Sequence, residues 1–265
     1  MHEYWLKQSN DKPLFEDILW SRPESKMGAG KLAVIGGNSH GFNAPGMGYQ
    51  IGLESGVGIC RVLMPDAVKK TVGYVLPDAD FAPSTPSGSF AKNSLDEMLQ
   101  IASWSDGVLL AGDLGRNSET AVVVESFFDK FNDTLVVSQD AVDYFKSEPK
   151  QLLGRPHTVI CLSLAQLQKF FINIPLITPI TYSMSTVQLI EALHELTEEY
   201  QAIIVTKHND LILISSAGKV VTMEHDFTPW RVAVAARASV FALQNPERMF
   251  EAVVSSLIPD STQEL

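Results

Sequence analysis

The stretch "KLAVIGGNSHGFNAPGMGYQIGLESGVGICRVLMP", Lys31 to Pro65, decides the fold class. Its first part, "KLAVIGG", is a short apolar run ending in glycines, which predicts a strand that stops at a tight turn. A loop follows, then a helix of small residues from about Ala44 to Ser55, then a second apolar strand, "GICRVLMP". A strand, a helix and a strand in succession imply parallel pairing, because a crossover of this length returns the chain to the same end of the sheet.

The same alternation runs on toward the C-terminus. "LDEMLQIAS", "SETAVVVESFFDKF", "LAQLQKFF" and "TVQLIEALHELTEEY" carry helical periodicity; "GVLLAG", "TLVVS", "HTVICLS" and "AIIVTK" read as buried strands. "DLILISSAGKVVTM" predicts a hairpin turning near Ala217-Gly218, and two helices close the chain. Val-, Ile- and Leu-rich strands between amphipathic helices specify an α/β fold, a mostly parallel central sheet with helices on both faces. Residues 1–30, with Tyr4, Trp5, Phe15 and Trp20 among charges, read as an N-terminal arm packing on the body or on a neighbouring subunit. Residues 31–265 read as a single domain, since no linker or composition shift divides them.

Composition narrows the function. Of 265 residues 45% are hydrophobic, ample for a core, and 20 Lys+Arg stand against 31 Asp+Glu. A net charge of −11 with no basic run excludes nucleic acid as a partner. No apolar stretch is long enough to span a bilayer, and the first residues lack a leader's apolar segment, which implies a cytoplasmic protein. The two cysteines, Cys60 and Cys161, lie in separate apolar runs and predict buried, reduced thiols. Six histidines without metal-ligand spacing, and no Gly-x-Ser-x-Gly elbow, leave metal catalysis and serine hydrolysis unsupported.

Ligands of such sheets bind beyond the carboxyl ends of the strands, so the loops there hold the candidates. "GGNSHGFNAPG" (Gly36–Gly46) serves either a ligand or a merely tight turn. "AGDLGRNSET" (Ala111–Thr120) places Asp113 at the mouth of the sheet and leads through Asn117 or Ser118 into a helix. Asp140 follows a strand in "VVSQDAVDYF", and Lys207 ends one in "IVTKHND". Each has a plainer reading as a cap or a solvated side chain.

Together these loops resemble the ADP- or ATP-dependent NAD(P)H-hydrate dehydratases of the ribokinase-like superfamily, collinearly over roughly residues 22–258. "RPESKMGAGKLAVIGGN" is similar to that family's opening, and Ala44, Pro45, Ser55, Gly56, Gly58 and Pro65 match its Gly-Ala-Pro loop and Ser-Gly-Ala-Gly turn, with Asn43 in place of a glycine. Later motifs depart. Gly-Pro-Gly-Leu-Gly becomes Ala111-Gly112-Asp113-Leu114-Gly115, Asp-Ala-Asp-Ala-Leu becomes Ser138-Gln139-Asp140-Ala141-Val142, and Thr-Pro-His-Pro-Gly-Glu becomes Cys161 to Gln166. Leu-Lys-Gly becomes Thr206-Lys207-His208, and Gly-Thr-Gly-Asp lies over Thr228-Pro229-Trp230-Arg231.

The last departure bears on chemistry. In the family that aspartate is the base; a guanidinium, with a pKa above ~12, stays protonated and cannot act so, and Pro229 offers no N–H to a phosphate. The stretch still reads as a helix with Thr228 as N-cap and Pro229 at the first helical position. What the resemblance implies is a ribokinase-like fold, substrate contacts at Asn43, Ala44 and Gly115, nucleotide contacts at Lys207, Thr228 and Arg231, ADP or ATP and an NAD(P)H-type ligand if the site survives, and a homo-oligomer, a tetramer by analogy. It leaves two readings of function. One is a catalytically inactive relative with a ligand-binding, regulatory or assembly role. The other is a working dehydratase or small-molecule kinase whose acid has moved, to Asp140, Asp226 or Asp113.

Overall fold

Neighbouring residues of the central strands point to opposite sides of one sheet, and both sides are buried. The computed structural model describes residues 3–172, 174, 179–225 and 228–259. Its elements in chain order are β1 (Trp5–Lys7), α1 (Glu16–Trp20), β2 (Lys31–Gly36), α2 (Asn43–Glu54), β3 (Ile59–Pro65), α3 (Lys69–Val72), β4 (Asp80–Ala82), α4 (Leu95–Trp104), β5 (Gly107–Gly112) and α5 (Ser118–Lys130). There follow β6 (Thr134–Ser138), α6 (Pro149–Leu153), β7 (Thr158–Cys161), α7 (Leu164–Phe171), α8 (Thr186–Glu199), β8 (Ile203–His208), β9 (Leu211–Ser216), β10 (Lys219–Glu224), α9 (Trp230–Gln244) and α10 (Met249–Ser255).

Among the described residues the strands form one ten-stranded sheet, ordered β1-β10-β9-β8-β7-β6-β5-β2-β3-β4. Every pairing is parallel except the two that β9 makes, with β8 and with β10. Val108, Leu110, Leu135 and Val137 face a layer built from α4, α5, α7 and α8, which includes Met98, Phe127, Phe170 and Leu193. Leu109, Ala111 and Val136 face the opposite layer of α2, α9 and α10. This is the α/β sheet covered on both faces that the apolar strands predict. The β9–β10 hairpin turns at Ala217 and Gly218, both with positive φ, as the sequence implies.

The first thirty residues do more than lie on the surface. β1 pairs parallel with β10, Trp5 Nε1 donates to Thr222 Oγ1 at 3.0 Å, and Gln8 Nε2 donates to the Val254 carbonyl at 2.8 Å. Arg22 donates to the carbonyl of Ser55, which ends α2, and stacks over the Phe241 ring. Three-residue strands such as β1 and β4 are too short to show a period in sequence, so only long-range pairing reveals them. Both cysteines are free and buried, with their thiols pushed up to about 12 by burial. Among the described residues no helix is long and apolar enough to cross a membrane.

Candidate functional site

From β2 the chain proceeds to β3 on one side, then returns to build β5, β6 and β7 on the other, so the loops after β2 and β5 part company and leave a crevice. Two glycines make the approach there. A Cβ on Gly36 would lie 2.4 Å from the Gly112 carbonyl oxygen, and one on Gly112, whose φ is +105°, would lie 2.3 Å from Gln139 Cβ. Asp113 and Gln139, each just past a strand end, also take positive φ, which turns both loops sharply over the sheet edge.

Asp113 is a capping residue across the crevice. Its Oδ2 accepts the Ala44 N–H at 2.8 Å, at the start of α2. Asn38 donates to the Asp113 carbonyl and its Oδ1 accepts the His40 N–H, so the loops after β2 and β5 are tied together. Asp140 accepts the N–H groups of Gly115 at 3.0 Å and Leu114 at 3.3 Å. Burial raises its carboxyl above the ordinary value; those two N–H donors oppose the rise, and nearby Asp113 adds to it. Tyr144 donates to the Gly115 carbonyl at 2.8 Å, and burial with the Asp140 charge pushes its phenol up to about 12.

Gln166 is the junction of the inner cleft. It completes a capping box with Ser163 at the start of α7 and donates through Nε2 to the Gln139 carbonyl at 2.7 Å and to Asp143 at 3.4 Å. Its Oε1 accepts from Arg231 Nη1 at 3.2 Å. Arg231 is half-buried at the start of α9, and burial lowers its pKa while Asp143, Asp140 and Cys161 hold it up. The guanidinium therefore keeps its charge over the ends of β6 and β7, with one hydrogen bond among the described residues and its other donors uncommitted.

Of the residues picked out from sequence, Ala44, Asp113, Gly115 and Asp140 come together through these hydrogen bonds, and Arg231 stands beside Asp140. The Asn43 side chain turns away, donating to Met47 Sδ at 3.2 Å along an apolar groove with Phe42 and Leu76. Lys207 Nζ lies 3.5 Å from the His225 carbonyl. Asp226 falls outside the described residues. The helix start is one residue later than the sequence suggests: α9 begins at Trp230 with Pro229 at the N-cap position, so Thr228 precedes the cap. Proline, fixed near φ −65° and lacking an N–H, suits the cap here as well as the first turn.

In the sequence Gln166 stands only where the resembled motif Thr-Pro-His-Pro-Gly-Glu ends in an acid, and nothing local points to a cavity of about 500 Å³ lined by Arg116, Asn117, Asp140, Tyr144, Lys146 and Lys169. Its cations come from three separate elements, so no local pattern announces them. Among the described residues no group of three or more His, Cys, Asp or Glu gathers to hold a metal.

No family model matches the chain. Over 160 residues it is 28% identical to a bifunctional NAD(P)H-hydrate repair enzyme of Methanothermobacter thermautotrophicus, a match covering 57% of this chain and 31% of that protein. The matched part thus spans about a third of its relative's length. Among solved structures, a ribokinase-like superfamily protein of Enterococcus faecalis superposes with a TM-score of 0.70 at 16% identity, over 97% of this chain and 86% of the other. The ADP/ATP-dependent NAD(P)H-hydrate dehydratase of Bacillus subtilis, co-crystallised with ATP and Mg²⁺, superposes with a TM-score of 0.62 at 14% identity, over 92% and 85%. The chain has the ribokinase-like fold and is a sequence relative of an NAD(P)H-hydrate repair enzyme.

Proposed function

We propose that this chain is a diverged relative of the NAD(P)H-hydrate dehydratases that binds an anionic ligand, of the ADP or ATP class, without dehydrating a nicotinamide nucleotide. The observation that carries the reading is Arg231. A permanent cation occupies the start of α9, bonded to the amide of Gln166 and flanked by Asp140 and Asp143. A group that never loses its proton at neutral pH cannot take one from a substrate. Its uncommitted donors suit a phosphate or carboxylate oxygen. Asp113 and Asp140 both accept backbone N–H bonds, which supports a structural use of the acids.

The test is turnover of hydrated NADH with ADP or ATP present, run beside a melting series in the same nucleotides. No turnover is expected, with a concentration-dependent rise in Tm for the wild type. Arg231→Ala should weaken nucleotide binding by about 2 kcal/mol, the scale of a charged hydrogen bond. Turnover that is abolished by Asp140→Asn would instead establish the working enzyme with a relocated acid.

A further inference from the structure

The cavity beside Asp140 carries charges that Arg231 does not explain. Arg116 follows β5, Lys146 follows the 3-10 stretch Gln139–Phe145, and Lys169 lies on α7; all three are exposed and line one cavity of about 500 Å³. Among the described residues none makes a side-chain hydrogen bond or ion pair. Two acids share the wall: Asp140 takes the N–H groups of Leu114 and Gly115, and Asp143 takes Gln166 Nε2 and faces Arg231, which leaves each carboxylate lone pairs for a further donor. Helix dipole is not the source of the effect, because Asn117 Oδ1 already accepts the N–H groups of Glu119 and Thr120 at the start of α5. Three cations without a hydrogen-bonded or ion-paired partner among the described residues line one hollow together with Asp140 and Asp143, an excess of positive groups in a chain of net charge −11.

We propose that this cavity is a binding site for a small phosphorylated molecule, its phosphate held by Arg116, Lys146 and Lys169 and its hydroxyl-bearing body directed inward to Asp140 and Asp143. Guanidinium and ammonium groups match the several oxygens of a phosphate monoester, while carboxylates on the inner wall accept from hydroxyls. Ser147 adds a hydroxyl to the lining. The volume lies within the range of small-molecule pockets. The site rests on its own side chains and stands independently of the role proposed for Arg231, which does not line it.

The full-length chain should be titrated calorimetrically with ribose 5-phosphate, with ribose and with inorganic phosphate. Ribose 5-phosphate is expected to bind, ribose to show no detectable binding, and phosphate to compete. Each of Arg116→Ala, Lys146→Ala and Lys169→Ala should weaken binding by about tenfold, the worth of one charge-assisted contact. The triple variant should abolish it. All three side chains are exposed, so the variants should fold, which circular dichroism and an unchanged Tm would verify. No binding of ribose 5-phosphate to the wild type, or equal binding by the triple variant, would overturn the proposal. Binding lost in Arg231→Ala but kept in the triple variant would also overturn it, placing the anion at α9 as the functional reading has it.

Discussion

Asp140 combines two opposing influences, burial that lifts its carboxyl above the ordinary 3.8 and N–H donors from Gly115 and Leu114 that pull it back, burial being the larger. The folded chain therefore holds this proton more tightly than the unfolded chain does. Its stabilising contribution is complete below the ordinary carboxyl value and is lost as pH rises through the raised folded value. An asparagine, which never ionises, escapes that loss. Unfolding in urea should accordingly show Asp140→Asn gaining stability relative to wild type between pH 4 and pH 7.5; a relative loss on raising the pH would contradict the balance inferred here. Arg231 is the counterpart on the other wall, a fixed cation whose meaning depends on Gln166, sixty-five residues earlier in the chain. Neither residue discloses its partner locally. Sequence marks Asp113 and Asp140 as equal candidates, and only the folded chain separates an α2 cap from a buried carboxyl.

At the level of elements, α9 and α5 show opposite relations to their sequences. α9 is buried from Val232 to Leu243 apart from Arg237, with Ala233, Ala235, Ala236 and Ala238 letting it press between the sheet and α2 and α10. A helix apolar on all sides is a core helix, and its pattern says where it lies but not what its first turn faces. Arg237 reaches out of it to the carbonyls of Ser256 and Ile258, tying down the end of α10. α5 is amphipathic and starts from Asn117, one of the two caps the sequence offers, which accepts the first free N–H groups and also donates to Ser87 Oγ at 2.9 Å. Asn117→Ala should cost about 1 kcal/mol, read from the shift in urea midpoint. It should also loosen the loop around Ser87, read as faster amide exchange at Gly88 and Ser89.

Across the whole molecule, the sheet buries both cysteines on the layer shared by α2, α9 and α10. With both thiols pushed up to about 12 and Cys161 fully enclosed, alkylation by iodoacetamide at pH 8 should be negligible in the native chain and complete in denaturant. Mass spectrometry checks this, and rapid native labelling at Cys161 would mean that the sheet opens near β7. Folding also gathers the charges: Arg116, Lys146 and Lys169 are scattered in sequence and meet only because β5, β6 and β7 lie side by side.

The sequence by itself determined the order of the central strands and helices, their parallel pairing, the two-sided core, the hairpin at Ala217-Gly218 and a cap for α5 at Asn117 or Ser118, between which only the folded chain chose Asn117. These follow from local periodicity and from residues that meet neighbours within a few positions. Tertiary structure alone decided the edge strands β1 and β4, the start of α9 at Trp230, the capping of α2 by Asp113, the junction at Gln166 and the cationic cavity. Each of those depends on partners brought together by the sheet from distant parts of the chain, and a hydrogen bond or a field between such partners leaves no trace in the spacing of residues along it.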